Sequence, residues 1–148
     1  MKNTFKISAL IAALVLANPA FAQSPTDALA TCLVDNLTGK ERKSLAKWIF
    51  FAIGAHPEIK AYSNVSPKDV RASDEYVGAL VTRLMTVDCA TRLKTAYAAD
   101  PGSLQKAFEM VGRVAIQELT TSEEVQKAIS SHAQYADKDK INKLLTQK

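Results

Sequence analysis

The sequence predicts an all-α domain, a compact bundle of six to seven short helices with one disulfide, preceded by a cleavable signal peptide. Apolar residues recur at helical spacing along most of the chain. Residues that typically begin helices stand before these segments. No sustained alternation of polar and apolar residues appears, and five glycines among 148 residues argue against a hairpin-rich β domain. These observations together favour helices over strands.

The first 22 residues have the order of a secretory signal peptide. Lys2 and Lys6 supply a positive start, and residues 7–16 form an almost uninterrupted apolar run. Residues 20–22, Ala-Phe-Ala, then provide a small-x-small cleavage site. We expect cleavage after this triplet, which leaves residues 23–148 as a single helical domain. The expected location is the periplasm, and full secretion also fits the sequence.

The charge and hydropathy of the mature chain argue against two classes of partner. The whole sequence carries +4, but the leader holds two lysines and no acid, so the mature chain keeps about +2. That excess is too small to indicate nucleic-acid binding by bulk electrostatics. The next apolar stretch, residues 48–53, is far too short to span a bilayer. We expect no nucleic-acid partner and no transmembrane segment in the mature chain, and the oligomeric state stays open.

Cys32 and Cys89 are the two cysteines of the chain. In an oxidising compartment two cysteines most simply form one disulfide. They lack the Cys-x-x-Cys spacing of a redox pair. Residues 29–32 also have the outline of a lipobox, which would place a lipid on Cys32. Asp27 lies close before that segment, and lipidation would leave Cys89 without a partner, so we predict the disulfide.

Capping residues mark five helix starts. A serine or aspartate before proline is typical of an N-cap followed by the first helical residue. A threonine followed by glutamate three positions later is a capping box, and acids are favourable near the positive end of a helix. The predicted starts are Ser24-Pro25, Thr38 with Glu41, Ser66-Pro67, Asp100-Pro101 and Thr121-Ser122.

The second predicted helix carries more large apolar residues than one buried face requires. Five of the six residues in the segment 48–53 are large and apolar, and three lysines precede them. A helix that is apolar on several faces is usually central, so we interpret it as the buried spine of the bundle. The functional alternative is that Phe50 or Phe51 lines an apolar pocket or a partner groove. The basic turns before it could then face an acidic partner or anionic lipid.

His56 precedes a proline at the end of this second helix. The residue before a proline is disfavoured in the α conformation, so Pro57 should end the helix or begin a turn. A protonated His56 would be favoured near the negative helix end. A capping or turn role is therefore expected, and a ligand-facing or pH-sensing histidine is the alternative.

The remaining candidate groups do not form a pattern of catalytic or metal-binding residues. His132, the second histidine, is 76 positions from His56, without the spacing of a zinc motif. The chain has no Gly-x-Ser-x-Gly elbow and no glycine-rich phosphate loop. We expect no metal, no cofactor and no catalytic residue. A hydrolase that uses His56 or His132 as its base is the least favoured alternative.

Gly78 and Gly112 lie inside predicted helices, where glycine is less favourable than alanine by up to about 1 kcal/mol. Close contact between helices would justify both residues. The alternative is a locally loose helix that has to move.

The function predicted from these patterns is binding without catalysis, by an exported protein whose target is another protein of the cell envelope. The alternative is a carrier or sensor of an apolar or amphipathic small molecule, in a pocket lined by the 45–53 helix with Trp48 and Phe51 as walls. The predicted contact residues are Lys43, Lys47, Trp48, Phe50, Phe51, His56 and Tyr62.

Overall fold

A computed structural model describes residues 23–147, and within that range the chain forms helices and no β-strand. This confirms the all-α class, but residues 23–147 form eight α-helices where six to seven were predicted. The predicted signal peptide lies outside the described residues. A π-helical turn at Leu84–Asp88 joins α4 to α5, and a 3-10 turn at Ser131–Gln134 follows α7. The eight α-helices of this range are α1 (Pro25–Asp35), α2 (Gly39–Gly54), α3 (Pro57–Lys60), α4 (Pro67–Arg83), α5 (Ala90–Ala99), α6 (Ser103–Thr120), α7 (Glu123–Ser130) and α8 (Lys138–Thr146).

The core lies where α1 and α6 meet. Helix α1 packs against α5 and α6, and α2 packs against α4 and α6. Leu29 and Leu33 of α1 are fully buried, because residues four positions apart share one face of a helix. Helix α6 contributes two small residues to the same core, Ala107 and Ala115, with Val111 between them, and all three are buried. Their small side chains let the two helices approach closely.

The predicted disulfide is present. The sulfur atoms of Cys32 and Cys89 are bonded, and their Cα atoms are 6.0 Å apart. Cys32 lies in α1, and Cys89 stands between the π-helical turn and α5. The bond joins segments 57 residues apart, and it is incompatible with a lipid on Cys32.

Four of the five predicted helix starts are confirmed, and one is wrong. The side chains of Ser24, Thr38, Ser66 and Ser122 accept hydrogen bonds from backbone N–H groups of the helices that they precede. Asp100 instead ends α5, and α6 begins three residues later at Ser103. One carboxylate oxygen of Asp100 accepts from the Gly102 N–H at 2.8 Å, which forms a turn before the helix.

The interpretation of α2 as the buried spine of the bundle is wrong. Its buried residues are Leu45, Ala46 and Gly54, whereas Phe50 is 52% exposed and Ile53 is 50% exposed. The reason is the arrangement of neighbouring helices. Within residues 23–147, α2 packs against α4, α6 and the single-turn α3, and these neighbours leave the side that carries Phe50 and Ile53 exposed.

The two glycines are not explained by close packing, so that expectation is also wrong. Among residues 23–147, a Cβ atom built on Gly78 or on Gly112 would have no neighbour within 4 Å. Both positions face open space.

Helices α7 and α8 lie at the edge of the fold and contain no buried residue. Helix α7 packs against the end of α6, but α8 contacts no other element in the described part of the chain. The apolar residues Ile141, Leu144 and Leu145 of α8 are consequently exposed.

Candidate functional site

The predicted contact residues lie on α2 and on the segment that follows it, but they do not form one pocket. Lys43 and Lys47 belong to a basic face, whereas Trp48 and His56 line an apolar cleft. Phe51 lines a separate groove, and its ring centroid is 6.1 Å from that of Phe50. Tyr62 is 89% exposed. The predicted residues are therefore distributed over three recesses and two exposed positions, Phe50 and Tyr62, that line none of them.

The basic face consists of Lys40, Lys43 and Lys47, which recur at helical spacing on α2 and border a recess with Ser44. Among residues 23–147, no carboxylate oxygen lies within 4.0 Å of any of the three amines. The Lys47 amine lies 5.9 Å from the centroid of the Phe51 ring. The three positive charges are thus available to an anionic partner.

The α3 cleft is the apolar recess between the second half of α2 and α3, and it has a volume of about 520 Å³. Its lining is apolar except for one imidazole. The Trp48 indole N–H donates to a carboxylate oxygen of Asp74 on α4 at 2.8 Å, which holds the ring in place. The lining residues are Trp48, Ile49, Ala52, Ile53, His56 and Ile59.

The loop groove lies between the end of α2 and the start of α4, and it has a volume of about 580 Å³. Phe51, Val65 and Val70 give it apolar walls, and its charged lining residues are Lys60, Arg71 and Asp74. Gly54 lets the loop approach α2, since a Cβ atom there would stand 3.1 Å from the Ser63 hydroxyl oxygen.

His56 occupies the predicted turn, but it caps a different helix end from the one expected. Its backbone N–H donates to the Ile53 carbonyl at the end of α2, at 3.0 Å. Its Nδ1 accepts from the Glu58 N–H at 3.3 Å and so caps the N-terminus of α3. The ring of His56 therefore accepts a hydrogen bond at the N-terminus of α3. The sequence had predicted a protonated His56 at the C-terminus of α2.

His132 lies in the exposed 3-10 turn, where its Nδ1 donates to the Ile129 carbonyl at 2.6 Å. Within residues 23–147, neither His56 nor His132 forms a hydrogen bond with a hydroxyl or a carboxylate. No three potential metal ligands come together in that range.

None of the helices between residues 23 and 147 is long and apolar enough to cross a membrane.

Sequence reasoning missed several residues of this surface. Ile53 belongs to an apolar stripe that was expected to be buried, and Ile59 follows Pro57 in a turn of helix that was not predicted. Ser73 and Tyr76 of α4 face the basic side of α2 across a further recess. Only the contact between α2 and α4 brings those residues to the site, so no local pattern indicates them.

Comparison of the chain with protein-family models, curated proteins and solved structures finds no match. The proposals below rest on the geometry of this surface.

Proposed function

We propose that this chain is an exported, periplasmic protein that acts by binding and without catalysis. Its proposed partner is an acidic, amphipathic segment of another envelope protein, which docks on the surface of α2 and α3. The observation that carries the proposal is the exposure of large apolar side chains of α2 beside three lysines that form no ion pair within residues 23–147.

The apolar part of the surface supports a macromolecular partner. Phe50, Ile53 and Tyr62 are at least half exposed, and Trp48 and Ile59 are more than one-third exposed. Adjacent exposed apolar residues of this kind are typical of an interaction surface. The aromatic side chains among them are of the type that contributes most to protein–protein binding energy.

The basic face supports an acidic partner. The Lys47 amine lies 5.9 Å from the centroid of the Phe51 ring, and the recess that Lys40, Lys43 and Lys47 border shares no lining residue with the apolar α3 cleft. A partner segment with an apolar stripe and flanking acids would match both parts at once. Such charge pairs at the rim of an interface mainly raise the association rate and exclude wrong partners.

Site-specific photo-crosslinking in intact cells tests this proposal. A photoreactive phenylalanine analogue replaces Phe50 on α2, and in a control strain it replaces Tyr97 on α5, a similarly exposed aromatic residue. We expect an adduct of one discrete mass from position 50 and none from position 97. The crosslinked peptide of the partner should be rich in Asp and Glu, and the adduct should contain this chain beginning at Gln23.

Charge reversal supplies the second arm of the test. Lys43→Glu with Lys47→Glu should abolish the adduct from position 50, because acidic side chains would repel the acidic partner. The matched control is Arg92→Glu with Lys94→Glu on α5, which should leave the adduct intact. An adduct that forms equally at both positions, or that survives the reversal on α2, would overturn the proposal.

The small-molecule carrier is a second candidate, favoured by the volume and apolar lining of the α3 cleft. Native mass spectrometry of protein purified gently from the periplasm distinguishes the two functions. A retained small mass that is lost in a Trp48→Ala variant would favour the carrier and count against the protein partner. A bare chain mass, together with the position-specific adduct, would favour the protein partner.

A further inference from the structure

The α2–α4 cleft is a recess of about 360 Å³ that shares only Phe51 with the loop groove and shares no lining residue with the α3 cleft. It lies where the basic face of α2 meets the side of α4 that packs against it. Its lining combines cations, hydroxyl groups and aromatic rings. The lining residues are Lys40, Ser44, Lys47, Phe51, Asp69, Ala72, Ser73 and Tyr76.

Ser73 gives this cleft a hydrogen-bonding group without a partner. The residue is only 5% exposed, and its Oγ forms no hydrogen bond with any group of residues 23–147. A buried hydroxyl left unpaired costs about 1–3 kcal/mol, so such groups usually have a partner. The Oγ atom itself is buried, so an acceptor supplied from outside reaches it only when a side chain that covers it moves aside, after which the hydroxyl hydrogen can turn toward that acceptor. An unpaired donor in a recess therefore indicates a ligand that accepts hydrogen bonds.

The charges of the cleft favour an anionic acceptor. Lys40 and Lys47 bring two amines, and Asp69 brings one carboxylate. One oxygen of that carboxylate accepts from both the backbone N–H and the hydroxyl of Ser66 at the start of α4. These hydrogen bonds from Ser66, led by the one from its side chain, lower the pKa of Asp69 and keep it ionised. The net charge of the lining is still positive.

Two aromatic side chains give the cleft apolar walls. Phe51 comes from α2 and Tyr76 from α4. Both rings remain partly exposed, so a ligand can reach them from solvent. An inorganic anion would make no apolar contact with these two rings, whereas an anion attached to a small apolar group would pack against them.

We infer that the α2–α4 cleft is a binding subsite for a carboxylate carried on a small apolar group. The amines of Lys40 and Lys47 and the hydroxyl of Ser73 would bind the carboxylate, and Phe51 and Tyr76 would cover the apolar group. The inference rests on the proposed function in one respect, namely that the carboxylate would come from the partner protein. A free small acid has the same chemistry and is the other possible source.

Titration of the purified mature chain with 3-phenylpropionate tests the subsite without any partner protein. Backbone amide shifts in two-dimensional NMR should move for residues 40–51 and 69–76. The neutral analogue, 3-phenylpropanamide, should move them much less, because it has no charge for the lysines. Equal shifts with the acid and the amide would overturn the inference.

Two serine variants make the test specific. Ser73→Ala should weaken the binding of 3-phenylpropionate by about tenfold, since a hydrogen bond to a charged group is lost. Ser103→Ala in α6 is the matched control, because Ser103 is also buried and unpaired among residues 23–147 but lines none of the clefts described above. It should leave binding unchanged. Binding to the Ser73→Ala variant that equals wild type would overturn the inference, and unchanged amide spectra outside α2 and α4 would show that the variant is folded.

Two short peptides distinguish a protein from a free acid as the source of the carboxylate. Both peptides end in phenylalanine, one with a free C-terminal carboxylate and the other with an amide. Binding of the free-carboxylate peptide alone would support a protein C-terminus as the source. Binding of 3-phenylpropionate without either peptide would support a free acid and would overturn the partner as the source. Neither result depends on the crosslinking experiment, so the subsite and the proposed function can fail separately.

Discussion

At the residue scale, Gly78 in α4 and Gly112 in α6 are unfavourable helical residues without a packing role. Because a Cβ atom would meet nothing within 4 Å at either site, alanine should fit without strain. We expect Gly78→Ala and Gly112→Ala each to raise the free energy of unfolding by up to about 1 kcal/mol. Urea unfolding followed by far-UV circular dichroism measures the change.

Gly54 is the matched control, because a Cβ atom there would stand 3.1 Å from the Ser63 hydroxyl oxygen. Gly54→Ala should give no comparable gain in stability, since the loop has to move. A loss of stability in either of the other two variants would indicate that the glycine serves a motion of its helix.

At the element scale, α8 is the helix with the least support. Among residues 23–147 it contacts no other element, and an isolated helix of nine residues is marginal in water. Deletion of residues 137–148 should therefore change the free energy of unfolding by no more than about 0.5 kcal/mol. Amide hydrogen exchange in the full chain should find α8 almost unprotected.

The substitution Leu33→Ala in α1 is the positive control for the same unfolding measurement, because it removes packing from the core. Leu33 is fully buried, so this change should cost about 2–5 kcal/mol. A loss of more than about 1 kcal/mol on deletion of α8 would contradict its independence from the bundle.

At the scale of the whole molecule, the disulfide constrains the unfolded chain. It closes a loop of 57 residues, which corresponds to about 4 kcal/mol of stability in the chain-entropy model. The double variant Cys32→Ala with Cys89→Ala should lose about that amount in urea unfolding. The reduced wild-type protein should show a similar loss, and a difference below about 1 kcal/mol in both cases would contradict this role.

Prediction from the sequence worked where the deciding contacts are local. The caps of α1, α2, α4 and α7 join residues three positions apart, so capping patterns were enough to find them. The start of α6 was misplaced because Asp100 forms a turn just before the helix, which resembles a cap in sequence. The disulfide was predictable because two cysteines allow only one intramolecular pair.

Prediction failed where the outcome depends on which elements become neighbours. Helix α2 has more large apolar residues than one face can hold. The sequence could not show that no other helix of residues 23–147 covers the face with Phe50 and Ile53. No sequence pattern indicated Ser73. Its hydroxyl is buried without a hydrogen-bond partner among residues 23–147, and that depends on how α4 packs against α2.

The amino-acid sequence by itself determined the all-α class, most helix starts and the cysteine pairing, because short-range hydrogen bonds and composition control them. Only the tertiary structure decided that α2 is half exposed, that α8 has no helix beside it within residues 23–147, and that the α2–α4 cleft exists. Burial is a property of the whole packing arrangement, since the residues that remove a side chain from water are often far away in sequence.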